Sequence, residues 1–422
     1  MMPMSERYVV RVDGQEVAVF HTAAGDYAVV CFEGQRQFAI DVREPFDAVT
    51  VRPLGGQYGV MTEGQTIRLT LTDWARVSVE PFGLRHPLFL LCARPIPTPQ
   101  GVTHHYHRGM VSHIGEVVLH SHDTVYIEEG AVVVGSFHAE GADHVTITGN
   151  GMLWESPLHG GSQRRQVPLL FVDCEDVRVS GITVVDSPTW NLVPVACRRV
   201  AIDGVNIIGI VMSSDGIDVV GCEDVTIAHC FLCVNDDCIA VKANDYDDPR
   251  GRRDVRRVHA SDCVLWSQKC GNVLEIGYET SCEEICGVVF EDMDVIHAQF
   301  EGWQSGGVFT IHNGDRAHVH DIVYRNIRVE DAEEKLIDVK ILSSKYSMDA
   351  TRGRVSDLAF EDIRVSGSQL PPSILRGYES DAGEPNLIAG VRIRNLTWNG
   401  EKITSQLQAH LIAELCREIS FA

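Results

Sequence analysis

The sequence predicts an all-β chain: a right-handed parallel β-helix preceded by a small N-terminal antiparallel β-sandwich domain. Three observations carry that expectation. An eight-residue pattern, apolar-x-apolar-x-x-apolar-x-apolar, recurs nine times from Val145 onward, at intervals of 23 to 36 residues. The repeats are rich in β-branched residues and alternate with period two, without heptad or leucine-rich frames. Residues 1 to about 90 alternate in the same way but lack the repeat.

The N-terminal stretch comes first. Alternating runs at 8–12, 28–32 and 67–71 are joined by turn dipeptides such as Asp13-Gly14, Gly55-Gly56 and Glu63-Gly64. They read as a sandwich occupying residues 1–92. A Pro-containing connection at 93–100 then leads into a β-helix domain spanning 93–422.

The repeats begin at Val145, Val177, Val200, Val225, Val258, Val288, Ile322, Leu358 and Val391. Each reads as two short strands broken by a corner, where Gly, Asn, Asp or His accepts unusual backbone angles; the rest of each coil supplies a third strand. Residues 405–418 are expected to be helical, packed on the last coil or capping it.

Composition restricts the function classes. With 59 acidic against 36 basic residues the net charge is −23, and no basic run suits nucleic acid. An acidic chain also repels polyanionic polymers at long range. No apolar run of membrane-spanning length occurs, and residues 1–8 lack a signal-like apolar core. Thirteen cysteines, an odd number scattered through the repeats, suit buried reduced thiols, so a cytoplasmic location is expected. The long flat faces of a β-helix offer surface for a homo-oligomer, with no symmetry selected.

The candidate chemistry lies in two segments, Ser213-Ser214-Asp215-Gly216-Ile217-Asp218 and Asn235-Asp236-Asp237-Cys238-Ile239-Ala240. Asp215 and Asp236 are 21 residues apart, close to one coil, so Asp215, Asp236 and Asp237 would cluster at the ends of successive strands. Asp218, three residues on, is read as pointing inward. Glycosidic cleavage needs one protonated carboxyl and one ionised carboxylate, and crowding raises the pKa of at least one member.

Those segments resemble the signature of glycoside hydrolase family 28, the polygalacturonases and their relatives. Residues 115–136 and Ser187-Pro188-Thr189-Trp190-Asn191 resemble that family's first coils. The sandwich ahead of the helix is more similar to the sister family 49, the dextranases. The resemblance implies an inverting hydrolase acting on an oligosaccharide or polysaccharide, with Asp236 as general acid and Asp215 and Asp237 holding and deprotonating water. Inversion calls for carboxyl groups about 6.5–9.5 Å apart.

The chain also departs from the polygalacturonase pattern. Ser213-Ser214 replaces Asn-Thr before the first Asp. Asn272 stands where the family has a histidine. The Arg-Ile-Lys segment that grips a uronate falls at Asp338-Val339-Lys340, and an Asp there would repel a sugar acid. Polygalacturonate is therefore not the expected substrate.

Asn272, Glu275, Lys340 and His312 are read as substrate-binding positions. Trp190, Tyr278 and Trp303 are read as stacking platforms for a pyranose face. The 244–253 insertion is read as a loop beside the cleft that favours exo-action. The run His104-His105-Tyr106-His107 lacks a carboxylate or Cys pair at ligand spacing, so no metal is assigned. There is no phosphate-binding Gly loop and no Gly-x-Ser-x-Gly elbow, and no cofactor is implied. A lyase, a transferase or epimerase on the same scaffold, and a carbohydrate-binding β-helix are the competing classes. The last gives no reason for an Asp cluster.

Overall fold

The computed structural model describes residues 2–155, 166–299, 306–380 and 383–422. Residues 8–93 form two five-stranded sheets, each with its strands out of sequence order. Phe38, Ile40, Ile67, Leu69, Val77, Val79 and Leu90 fill the space between them and are buried. Strand Leu88–Ala93 lies parallel to Asp26–Cys31 and antiparallel to Arg76–Leu84. The outer face of this sheet docks on the β-helix, where Tyr27, Phe89 and Leu91 meet Phe231, Trp266 and Ile296.

The rest of the chain winds as a right-handed parallel β-helix. One twelve-stranded parallel sheet runs from His104–Tyr106 to Cys416–Phe421. A second ladder passes through Thr183–Val185, Asn206–Ile208, Phe231–Val234 and Val264–Ser267. The third passes through Leu192–Val195, Ile217–Val220, Ile239–Ala243, Leu274–Thr280, Phe309–Asn313 and Ile337–Ile341. The third ladder carries the candidate site.

Period-two alternation explains why the coil closes. In the third ladder Ile217, Ile239, Leu274, Phe309 and Ile337 stack as one inward row, with Val219, Val241, Ile276, Ile311 and Val339 as the next. Each such side chain contributes roughly 1.5–3 kcal/mol on burial. Register between coils is thereby fixed, because a slip of one residue would turn both rows outward.

The corners stand where the repeat places them. The fifth residue of every copy has positive φ: Gly149, Gly181, Gly204, His229, Asp262, Asp292, Asn326, Asp362 and Asn395. Asp262, exposed with φ of 53°, gives a clean test. Asp262→Val should destabilise the protein by about 1–2 kcal/mol, because a β-branched side chain is strained there. Asp262→Gly should be near neutral. Equal urea midpoints for the two variants would contradict this account of the corners.

One element differs from expectation. Residues 405–418 form no helix. After a turn they make strand Leu411–Glu414, paired in parallel with Ser373–Arg376, and enter strand Cys416–Phe421. The apolar residues sit at helical spacing, yet Leu407 is 87% exposed, so no helical face is buried. The open backbone groups of the preceding coil recruit the segment as one more strand. All thirteen cysteines are free thiols, and Cys174, Cys197, Cys222, Cys230 and Cys238 are buried in the coil interior.

Candidate active site

Register builds the site. Leu192, Ile217, Ile239 and Leu274 are aligned across four successive coils. Two residues before each stand Trp190, Asp215, Asp237 and Asn272, so these four form one row at the mouth of the ladder. Asp236 precedes Asp237 in the same turn. Gly271 lets the next coil approach that turn: a Cβ there would fall 2.2 Å from the Asp236 carbonyl carbon.

One oxygen from each of Asp215, Asp236 and Asp237 lies within 4.8 Å of the others. This is tighter than the carboxyl separation anticipated for inversion. Asp215 and Asp237 are buried, while Asp236 is half-buried. Asp218 does not point into the core. Ile217 and Val219 take the inward positions, and Asp218 lies on the outer face beside Asp215, fully buried.

A residue that sequence reading missed organises the cluster. Lys242, buried on strand Ile239–Ala243, places Nζ 2.8 Å from Asp215 Oδ2, 2.9 Å from Asp218 Oδ1 and 3.4 Å from Asp237 Oδ2. Its ammonium also sits over the Trp190 ring, 4.1 Å from the centroid. A signal was present: a lone Lys in an otherwise apolar strand is rarely buried without carboxylate partners.

The protonation pattern follows from these contacts. Burial alone would lower the Lys242 pKa, but Asp215, Asp218 and Asp237 hold it well above the ordinary value, so it stays charged. Asp237 Oδ1 accepts from the backbone and side-chain N–H groups of Asn272, both at 2.9 Å. Asp236 has no hydrogen-bond donor among the described residues. Burial, with Asp215 and Asp237 nearby, pushes its pKa well above the usual carboxylate range. Asp218 is pushed up likewise, by burial and the Asp215 charge. Burial also raises Asp215, against the pull of Lys242.

A second buried network lies on the same outer face. His312 Nδ1 is 3.0 Å from both Glu275 oxygens, and its Nε2 is 3.3 Å from Asp338 Oδ2. Lys340 and Lys335 pair with Asp338 at 2.8 and 3.4 Å. The Tyr278 ring stacks on His312 at 4.4 Å. Burial would lower the His312 pKa, but Glu275 and then Asp338 lift it to about 9. Burial opposes ionisation of Asp338, yet His312, Lys340 and Lys335 hold its pKa below the ordinary range.

A pH prediction arises here. The folded-state pKa of His312 is raised from 6.5 to about 9. The stability it contributes is complete below the unfolded value and lost as pH rises through about 9. The span corresponds to roughly 3 kcal/mol at about 1.36 kcal/mol per unit. The difference in urea midpoint between wild type and His312→Gln should shrink between neutrality and pH of about 10. A difference that does not change with pH would refute the charged pairing.

The remaining expected positions are located as follows. Trp190 is 9% exposed and packs against Val193, Val195 and Val220. Asn272 is engaged with Asp237, Glu275 with His312, and Lys340 with Asp338. Tyr278 is half-buried. Trp303 lies outside the described residues. The insertion reaches the site through Tyr246, whose hydroxyl donates to Glu279 at 2.8 Å and whose ring lies 6.2 Å from that of Trp190. Arg250 ties its far end to Asp173 and Glu140 at 2.9 and 2.7 Å. The histidine run does meet a carboxylate: Glu128, on the next coil, lies 2.8 Å from His105. Sequence spacing hid it, because coil winding made the contact.

The chain is similar to known proteins in part of its sequence and in its fold. Residues 120–300 match glycosyl hydrolases family 28. A probable polygalacturonase of Vitis vinifera is 31% identical over 152 residues, 32% of this chain and 31% of that protein. A probable exopolygalacturonase B of Aspergillus fumigatus is 22% identical over 59% of this chain and 56% of its own. The chain thus spans between a third and somewhat over half of these curated relatives. Dex49A from Penicillium minioluteum superposes with a TM-score of 0.66 at 12% identity, covering 96% of this chain and 91% of that one. An exopolygalacturonase from Thermotoga maritima gives 0.53 at 16% identity, over 72% and 86%.

Proposed function

We propose that this chain, a β-helix of the glycosyl hydrolases family 28 and dextranase-like kind, is an inverting glycoside hydrolase acting on a neutral oligosaccharide or polysaccharide. The observation that carries the reading is the division of labour among three clustered carboxyls. Lys242 contacts Asp215 and Asp237, and Asn272 donates to Asp237, while Asp236 has no donor among the described residues and its pKa is pushed well above the usual carboxylate range. Asp236 is then the general acid that protonates the leaving oxygen. Asp215 and Asp237 hold the water and take its proton.

Direct attack by a carboxylate is the second reading, favoured by the spacing within 4.8 Å. The burial of Asp215 and Asp237 argues against it. Both oxygens of Asp237 face donors, and Lys242 occupies one oxygen of Asp215. Such groups suit a bound water better than an exposed sugar carbon. Proton NMR of the fresh anomer separates the two, with inversion expected and retention assigning one of these aspartates as nucleophile.

The substrate class follows from Asp338. Its buried carboxylate stands where the polygalacturonase resemblance places an Arg, and its countercharges are already His312, Lys340 and Lys335. A sugar carboxylate brought there would meet an anion. We therefore expect neutral oligosaccharides to be cleaved at least tenfold faster than uronate oligomers in a reducing-sugar assay. Preference for galacturonate oligomers would overturn this assignment, and an unsaturated product would indicate a lyase. The 244–253 insertion beside Trp190 supports exo-action, for which reducing ends should rise well before viscosity falls.

A further inference from the structure

We propose that His105, His107 and Glu128 form a binding site for one divalent transition-metal ion of the zinc class, clipping the first strand of the β-helix to the next coil. His105 and His107 are two residues apart at the strand His104–Tyr106, so their rings share one face, with centroids 4.1 Å apart. Glu128 directly follows the neighbouring strand Thr124–Ile127. Its Oε1 lies 2.8 Å from His105 Nε2 and 3.4 Å from His107 Nδ1, and all three atoms fall within 4.8 Å. Zinc bonds of about 2.0–2.1 Å in tetrahedral geometry set ligand atoms about 3.3 Å apart. Glu128 Oε1 thus lies near tetrahedral ligand spacing from both imidazoles, and side-chain rotations at the exposed surface can close the remainder around an ion.

The carboxylate is already oriented for this. Its other oxygen accepts from the Arg108 backbone N–H at 2.7 Å, which aims Oε1 at the two imidazoles. The Arg108 guanidinium turns away to Glu129. Charge separates this group from the other three clusters of possible ligands. Glu284, beside Cys286 and His320, is paired with Arg256 at 2.7 Å. Asp176, beside Asp143 and His144, is paired with Arg199 at 2.7 Å. The aspartate cluster contains Lys242. Among the four clusters, the one holding Glu128 has no carboxylate paired with a Lys or Arg side chain among the described residues. Two neutral imidazoles and one carboxylate form a three-ligand set with a fourth position open to water, a combination that selects borderline ions over Mg²⁺ or Ca²⁺.

The location supplies a purpose. His104–Tyr106 is the three-residue edge strand of the twelve-stranded sheet and, among the described residues, pairs there only with Thr124–Ile127. A short exposed edge gains most from a cross-link to its neighbour.

The test uses full-length protein stripped with chelator and titrated with Zn²⁺ by calorimetry, with Co²⁺ as the spectroscopic probe. One equivalent should bind, raise the thermal midpoint, and give the intense visible bands of tetrahedral Co²⁺. The double variant His105→Ala/His107→Ala should bind at least about tenfold more weakly and lose both the midpoint shift and the Co²⁺ spectrum. Glu128→Gln should weaken binding in the same direction, whereas His144→Ala should not. No binding by wild type at excess Zn²⁺, or undiminished binding by the double variant, would overturn the site.

Discussion

Asp236→Asn should lower kcat by about 10²–10⁴-fold, the usual contribution of a positioned proton donor. The fold should be unaffected, because the amide matches the carboxyl in shape and burial among carboxylates already favours the neutral form. The loss should depend on the leaving group. An aryl glycoside whose phenolate departs without protonation should be cleaved by the variant nearly as fast as by wild type. Asp237→Asn should be slow on both substrates, since the proposed mechanism has its carboxyl group activate water in either case. Equal losses for Asp236→Asn on good and poor leaving groups would remove Asp236 from the acid role and reassign it to positioning.

The second large effect is expected at Lys242. Lys242→Met removes the ammonium that contacts Asp215, Asp218 and Asp237. Breaking a buried ion pair from one side typically costs about 3–5 kcal/mol, because the other charge remains buried and uncompensated. Part of that cost can be relieved by protonation, so the variant should recover stability as pH falls. The sign follows from linkage: Lys242 lowers the Asp215 pKa, so its loss lets that carboxyl bind a proton at higher pH. In any variant that folds, the base limb of kcat/KM should move to higher pH. Denaturant midpoints unchanged at neutral pH would contradict the assignment of Lys242 as the counter-ion of the cluster.

These two residues differ in how visible they are in the sequence. Asp236 stands in a short motif beside Asp237, and its partner Asp215 lies one coil away, so periodicity alone predicts their convergence. Lys242 is six residues past Asp236 on the following strand, where parity says only that it faces outward. The identity of what covers it depends on Trp190, from an earlier coil, and on Asp218 across the ladder. Asp218 itself was misplaced because its orientation depends on where strand Ile217–Val220 begins. Glu275, His312 and Asp338 show the same limit. The sequence marks Glu275 and His312 as substrate-binding positions and Asp338 as standing in place of an Arg, yet their pairing joins residues 26 and 37 positions apart.

The sequence by itself determined the all-β class, the coil, its corner residues and the acidic pair of segments. Those properties are local or periodic, so composition, parity and spacing contain them. Only the tertiary structure decided the strand formed by Leu411–Glu414, the outward turn of Asp218, the central ammonium of Lys242 and the meeting of His105 with Glu128. Each of these depends on the offset between neighbouring coils, and that offset varies with the length of every insertion. Pairing free energy in a β-helix comes from the coil above and the coil below. A residue's neighbours there are fixed by the winding of the whole chain.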